Sequence, residues 1–299
     1  MTLRELEYVV AVAEHGHFGR AAEAASVSQP TLSGQLKKLE DELGVVIFER
    51  GRKGAVPTPN GRKIVAAARE VLAAAKTVES LAAAAQDPLA GALSLGLIPT
   101  IAPYLIPRFV TRMEGALPKL KMVYREDVTE RLNRDLLQGK LDAAVLATEP
   151  EDDGLATIPL FREPFRLVVP AGHELSGVDD VRMRELATDE MLLLTEGHCF
   201  RDQALAICRP VQELAGGSLR ATSLETLVNL VASGQGVTLV PELAMREVPG
   251  TDMRTLTEPG AARDVNLTFR KSFPRRDLLE RVAEVIRDGV AVSAVEVLR

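Results

Sequence analysis

The sequence predicts two fold classes in one chain. An all-α helix-turn-helix leads into a long linker helix, and an α/β domain follows. Three observations carry this. Residues 1–60 hold short helical patterns broken by Gly and Ser. Residues 61–86 contain 10 alanines in 26 positions. After Asp87-Pro88, strand-like and helix-like segments alternate to the end. A length of 299 residues suits two or more domains. With 46% hydrophobic residues the chain can fill buried cores, which argues against global disorder.

In the first zone, Leu3, Leu6, Val9, Val10 and Ala13 follow the 3.6-residue period, and Gly16 ends that helix. Residues 18–25 form a second short helix, and Ser26-Val27-Ser28 is a tight connection. The third helix covers residues 29–43. Ser28 is its N-cap, Pro30 suits the first turn and Gly44 stops it. Two short helices joined by a few residues make a helix-turn-helix. In the second zone Ile64, Val71 and Val78 recur every seven positions, with Ala67, Ala74 and Leu81 between them. This is a narrow apolar seam suited to pairing with a second copy.

The third zone gives strands at 93–97, 121–125, 141–146, 166–169, 191–194, 236–240 and 266–269. Helices are expected from Pro99-Thr100 through Met113 and at 129–138, 224–232 and 277–288. Such alternation predicts a mostly parallel sheet in two subdomains, with ligands beyond the carboxyl ends of strands.

Net charge is −6, from 42 acidic and 36 basic residues, which at first argues against nucleic acid. The sum misleads, because residues 50–63 hold five cations and no acid. Beside a helix-turn-helix, that stretch reads as a phosphate-binding wing. The N-terminus lacks the basic run and apolar block of a signal peptide, and no run of 18 apolar residues exists. A cytoplasmic protein that neither spans nor binds a membrane is expected. Two cysteines are too few for a disulfide framework. They also lack the spacing of a zinc site, and no Gly-rich nucleotide loop or hydrolase motif occurs. No metal, no cofactor and no enzymatic activity are expected.

Phe18-x-Arg20-Ala21-Ala22, Ser28-Gln29-Pro30-Thr31-Leu32-Ser33, Leu39-Glu40-x-Glu42-Leu43-Gly44 and Phe48-Glu49-Arg50 closely resemble the N-terminal domain of LysR-type transcriptional regulators. The match is dense over residues 3–62. It departs at Thr58-Pro59-Asn60-Gly61, where the family usually has Thr-x-Ala-Gly. Gly96-Leu97-Ile98-Pro99-Thr100 resembles the peroxide-sensing branch of that family. So does Gly197-His198-Cys199-x-Arg201-Asp202-Gln203-Ala204, with its second cysteine at Cys208. Gly34, where Arg is common elsewhere in the family, fits the same branch.

The resemblance implies a winged helix-turn-helix at 1–60, a dimerising linker helix at 61–87 and a redox-sensing domain at 88–299. The last would be periplasmic-binding-protein-like, with two Rossmann-like subdomains at about 88–162 plus 270–299 and about 163–269. It also implies a double-stranded DNA operator, hydrogen peroxide as signal and a homodimer assembling into a homotetramer. RNA polymerase and a cellular dithiol reductant are further implied partners. The third helix should enter a major groove. Gln29, Pro30, Thr31, Ser33 and Gln35 would lie along base edges, and Lys37, Lys38, Arg50, Arg52 and Lys53 on phosphates.

For Cys199 the residues add their own argument. A helix starting there, with His198 and Arg201 as nearby cations, lowers a thiol pKa below about 8.5. Nine helical residues rise about 13.5 Å, whereas a disulfide needs Cα atoms about 4.4–6.8 Å apart. A bridge to Cys208 would therefore force local unwinding and act as a switch. The family pattern places Thr100, Thr129, His198, Arg201 and Arg270 around the peroxide. Two rivals stand beside this reading. One is a LysR-type regulator answering a small carboxylate with inert cysteines; the other is a thiol peroxidase, which would need no DNA-binding domain.

Overall fold

The computed structural model describes residues 1–51, 54–178, 180–182, 186, 191–207, 220–291 and 293–298. The side chains at 50, 80, 83, 84, 86 and 220 lie outside that description. The chain divides into two compact units, Met1–Ala82 with Gln138–Lys140, and Ala83–Leu137 with Leu141–Arg299.

The first unit begins with α1 (Leu3–His15), α2 (Phe18–Ala24) and α3 (Gln29–Leu43). Each boundary has a local cause. Thr2 and Glu5 form a reciprocal capping box on α1, and Gly16 closes it in the left-handed conformation. His17 Nδ1 accepts the Gly19 N–H and caps α2. Ser28 Oγ accepts the Thr31 N–H at the start of α3, and Gly44 ends α3 at φ 66°. Leu32, Leu36 and Leu39 turn inward to pack on Leu6, Val9 and Val12.

Strands β1 (Phe48–Gly51) and β2 (Gly54–Pro57) form an antiparallel hairpin, the wing. Glu40 ties it to α3, its Oε1 accepting the N–H groups of Ile47 and Phe48 at 2.7 and 3.1 Å. The long helix α4 (Pro59–Gln86) starts two residues before the expected 61. Thr58 explains this. Its hydroxyl accepts the Gly61 N–H at 2.8 Å and donates to the Val46 carbonyl at 2.8 Å. Pro59 takes the first helical position. A Cβ on Gly61 would stand 2.0 Å from the Ile47 carbonyl oxygen, so only glycine fits. The departure from the family pattern thus leaves Thr58 and Gly61, the two residues with structural work at this junction, unchanged.

The second unit contains, in order, β3 (Gly91–Leu97), α5 (Ala102–Ala116), β4 (Leu120–Glu126), α6 (Thr129–Leu137), β5 (Ala143–Leu146), β6 (Leu155–Pro170) and β7 (Asp180–Val181). There follow β8 (Leu193–Leu194), α7 (Cys199–Ile207), β9 (Arg220–Ala221), α8 (Leu224–Ala232), β10 (Thr238–Pro241) and β11 (Thr251–Leu256). It ends with β12 (Ala262–Arg270), α9 (Arg276–Val290) and β13 (Glu296–Val297). The main sheet runs β4-β3-β5-β12-β6-β11-β7, with β10 and β13 also paired to β6.

This sheet is mixed, not mostly parallel. β4, β3 and β5 are parallel neighbours, as are β11 and β7, but β12 runs antiparallel to both β5 and β6. The reason is β6, a 16-residue strand. Its first part pairs with β12, and from Phe165 onward it pairs with β10 and β11. Two hydrophobic cores divide there. Phe161 belongs to one with Leu95, Leu97 and Phe269, and Phe165 belongs to the other with Leu194, Phe200 and Leu227.

Two glycines of the first unit separate packing from propensity. A Cβ at Gly34, within α3, meets nothing within 4 Å. Gly34→Ala should raise thermal stability by about 1 kcal/mol, while Gly61→Ala should lower it by about 1–3 kcal/mol. Thermal melts of the two variants check both signs.

Candidate functional site: the edge at Cys199 and the face of α3

On the first unit, α3 presents Gln29, Pro30, Thr31, Gln35, Lys37 and Lys38 as exposed residues, with Ser33 half-buried. Thr31, Gln35 and Lys38 share one face at helical spacing, about 100° around the helix from the leucines that fix it to its core. Arg50 lies on β1, opposite Ala55. Its side chain, and Arg52 and Lys53 entirely, fall outside the described residues.

On the second unit the site lies at the carboxyl edge of the parallel strands. β3 and β4 end level with each other at Leu97 and Glu126, and Val145 of β5 is level with Leu97. Thr100 follows β3, Thr129 follows β4, and Ala147 follows β5. α7 comes to this edge, where Gln203 Nε2 donates to the Ala147 carbonyl at 2.7 Å. Cys199 is one turn earlier on the same face of α7, so it points the same way. It is a half-buried free thiol packed against the core that contains Ile98 and Ile101. The next residue, Phe200, is buried in the other core. The first turn of α7 therefore joins the two cores. Cys208 lies outside the described residues.

Thr100 is held by an arginine that the sequence reading missed. Arg263 Nη1 donates to Thr100 Oγ1 at 2.9 Å and Nη2 to the Thr100 carbonyl at 3.1 Å. The same guanidinium lies 5.6 Å from the Phe200 ring centroid, and Phe200 meets Phe165 edge-on at 5.2 Å. Because Thr100 Oγ1 accepts from Arg263, its single hydrogen is free to be donated elsewhere. Thr129 Oγ1 and Gln203 Oε1 are buried and have no hydrogen-bond partner among the described residues. The edge thus offers a hydroxyl donor, Thr100, and unfilled acceptors.

Arg270, expected here, is at the opposite end. It ends β12, beyond the position paired with Ala143 at the start of β5. Its Nη1 donates to the carbonyls of Leu136 and Leu141. Seven strand steps, about 23 Å, separate it from Arg263. The structure therefore brings Thr100, Thr129 and Cys199 to one edge and leaves Arg270 out.

The two expected cations beside Cys199 also change character. Burial lowers the pKa of His198 below its ordinary 6.5, so the imidazole is neutral at pH 7. Arg201 Nη1 donates to the Leu194 carbonyl at 3.0 Å, which ties α7 back to β8. The cation fixed on Thr100 is Arg263. His173, like His17, is a cap, with Nδ1 accepting the Leu175 N–H. No group of three or more metal-ligating side chains occurs among the described residues. No helix there is long and apolar enough to cross a membrane.

Comparison with known proteins fits both halves. Residues 3–62 match the family of bacterial regulatory helix-turn-helix proteins of the lysR type, and residues 86–291 match the LysR substrate binding domain.

The chain belongs to the LysR family.

It is accordingly a DNA-binding transcriptional regulator. Over 96% of its length it is 42% identical to the DNA-binding transcriptional dual regulator OxyR of Escherichia coli, covering 95% of that protein. Full-length OxyR C199D from Pseudomonas aeruginosa is similar in structure, with TM-score 0.76 and 41% identity over 96% of this chain and 95% of that one. A cysteine mutant of Corynebacterium glutamicum OxyR, solved with H2O2 bound, gives TM-score 0.66 at 34% identity, over 97% of this chain and 92% of that one. Within the LysR fold, Arg263 and Glu163 escaped the sequence reading because residues 155–165 were not read as a strand. Pro159, Arg162, Glu163 and Pro164 interrupt the apolar pattern there. The available signal was a lone acid among the prolines of 155–165 and an arginine, Arg263, just ahead of the strand read at 266–269.

His198 makes a testable pH dependence. The unfolded chain binds its proton more readily than the folded one, so this contribution is full above pH 6.5 and is lost as pH falls below it. Melting temperature against pH should fall less steeply below 6.5 in His198→Gln than in the parent chain.

Proposed function

We propose that this LysR-family chain senses hydrogen peroxide through Cys199 and converts its oxidation into altered DNA binding. The observation that carries this reading is a free thiol at the first residue of α7, on the strand edge where Arg263 fixes the Thr100 hydroxyl. The OxyR relatives support it. Thr100 donates to one peroxide oxygen and Thr129 accepts from the other. Arg263 takes the part first assigned to Arg270, and His198 and Arg201 hold the entry to α7. Cys199 sulfur attacks the nearer oxygen, the O–O bond breaks, and hydroxide leaves as water after taking a proton. The resulting sulfenic acid is attacked by the Cys208 thiol, which forms the disulfide and releases a second water. A cellular dithiol returns both thiols to the reduced state.

The switch follows from helix geometry. From Cys199 to Ile207, α7 rises about 12 Å. One further Cα step of about 3.8 Å cannot close to the 4.4–6.8 Å of a disulfide. The bridge therefore requires α7 to unwind, pulling Phe200 from Arg263 and from the second core.

In this reading residues 1–60 bind a double-stranded operator, 61–87 pair two copies, and 88–299 sense. The sensing region divides into subdomains at about 88–162 plus 270–299 and about 163–269. Exposed Val71, Val78 and Leu81 on α4 support pairing. Two dimers occupy an extended operator as a tetramer, and contact with RNA polymerase alters transcription of antioxidant genes in the cytoplasm. Gln29, Pro30, Thr31, Ser33 and Gln35 meet base edges; Lys37, Lys38, Arg50, Arg52 and Lys53 meet phosphates.

Stoichiometric peroxide followed by disulfide mapping tests the redox step. A Cys199–Cys208 peptide should form in the parent chain and be absent in Cys199→Ser, with a matching change in the operator footprint. A Cys199 that stays reduced while the footprint answers a carboxylate metabolite overturns the reading. On DNA, Lys38→Ala should weaken operator and random duplex alike and reduce the salt slope by about 1. Gln35→Ala should cost about 1–3 kcal/mol on the operator only.

A further inference from the structure

The established family membership and the peroxide reading leave the buried carboxylate of Glu163 without a role. Glu163 is 0% exposed and Arg263 is 4% exposed, and they sit directly opposite each other on antiparallel β6 and β12. Glu163 Oε2 accepts the Arg263 Nε–H at 2.8 Å. Its other oxygen, Oε1, accepts the Leu243 N–H at 2.7 Å. Both carboxylate oxygens are therefore anchored, one to a side chain and one to backbone.

We infer that Glu163 is a positioning residue for the reaction of Cys199 with peroxide, acting through Arg263 on Thr100. This rests on the peroxide-sensing reading above. A guanidinium is planar, so fixing Nε fixes the directions of both Nη groups. Those groups meet the two oxygens of Thr100. Arg263 saturates one lone pair of Thr100 Oγ1, and the hydroxyl hydrogen is turned away from it. The sequence of constraints is thus Leu243 N–H, Glu163, Arg263, Thr100, peroxide. Each link is charged or polar, and Glu163 sits where the two cores divide, between Phe161 and Phe165. A purely structural pair at this position would be replaced by apolar side chains at little cost in stability. Glu163 contributes direction: it points a donor at the place where an O–O bond must break.

The expected signature is selective. In Glu163→Asp the charge stays but the reach shortens by one methylene, so Arg263 loses its anchor while the buried cation keeps a counter-ion. The rate of Cys199 oxidation by peroxide should fall about tenfold or more. Alkylation of Cys199 by iodoacetamide, which uses the thiol and needs no Thr100 donor, should change less than about twofold. Thr100→Val should show the same split with Glu163 intact, and Glu163→Asp placed in Thr100→Val should cause no further loss. Glu163→Asp that oxidises at the parent rate overturns the inference. So does an equal loss toward peroxide and iodoacetamide, or a full further loss in the double variant. A parent chain whose Cys199 reacts with peroxide no faster than a small-molecule thiol would instead remove the peroxide reading itself.

Discussion

The buried ion pair between Glu163 and Arg263 is the constraint on which the second unit is organised. A charge taken out of water is costly unless paired and hydrogen-bonded, and breaking such a pair exposes that cost. Here the pair occupies the division between two hydrophobic cores. Neither core can shift along β6 or β12 without disturbing it. Arg263 then extends the constraint outward, to Thr100 after β3 and to the Phe200 ring on α7. The Cys199 thiol is one residue from that ring. Chemistry at Cys199 and the packing of both cores are thereby coupled through one guanidinium.

This arrangement explains how a small covalent change becomes a large structural one. α7 is short, has one face in each core, and begins at Cys199, the residue proposed to react. Its helical state and a nine-residue disulfide are geometrically exclusive, because helix rise separates the two positions beyond disulfide reach. In the proposed switch, the first turn of α7 leaves Arg263 and Phe165 when the bridge forms. A bistable element of this kind is what a redox switch requires.

What the sequence shows is what short-range physics determines. Helices α1, α2 and α3 were legible to within a residue, because Gly16, Ser28, Pro30 and Gly44 act on their immediate neighbours. Strands β3 and β4, with Thr100 and Thr129 just beyond them, were legible from apolar pattern and position. Long-range pairing was not. Glu163 and Arg263 are 100 residues apart, and prolines and charges hid the strand that joins them. The mixed sheet went unseen for the same reason, since β6 was read only over 166–169. Arg270 and Arg263 both lie on β12, and the family pattern alone could not say which end faced Thr100. The neutral state of His198 was equally hidden, because its pKa is lowered by burial that only the fold creates.

The central claim is that bridging Cys199 to Cys208 unwinds α7. Hydrogen exchange of the amides at 200–207, followed before and after stoichiometric peroxide, tests it most directly. The account predicts that their protection is lost on oxidation, restored by a dithiol and retained in peroxide-treated Cys208→Ser. Unchanged protection across 200–207 in a chain whose Cys199–Cys208 disulfide has fully formed would contradict it.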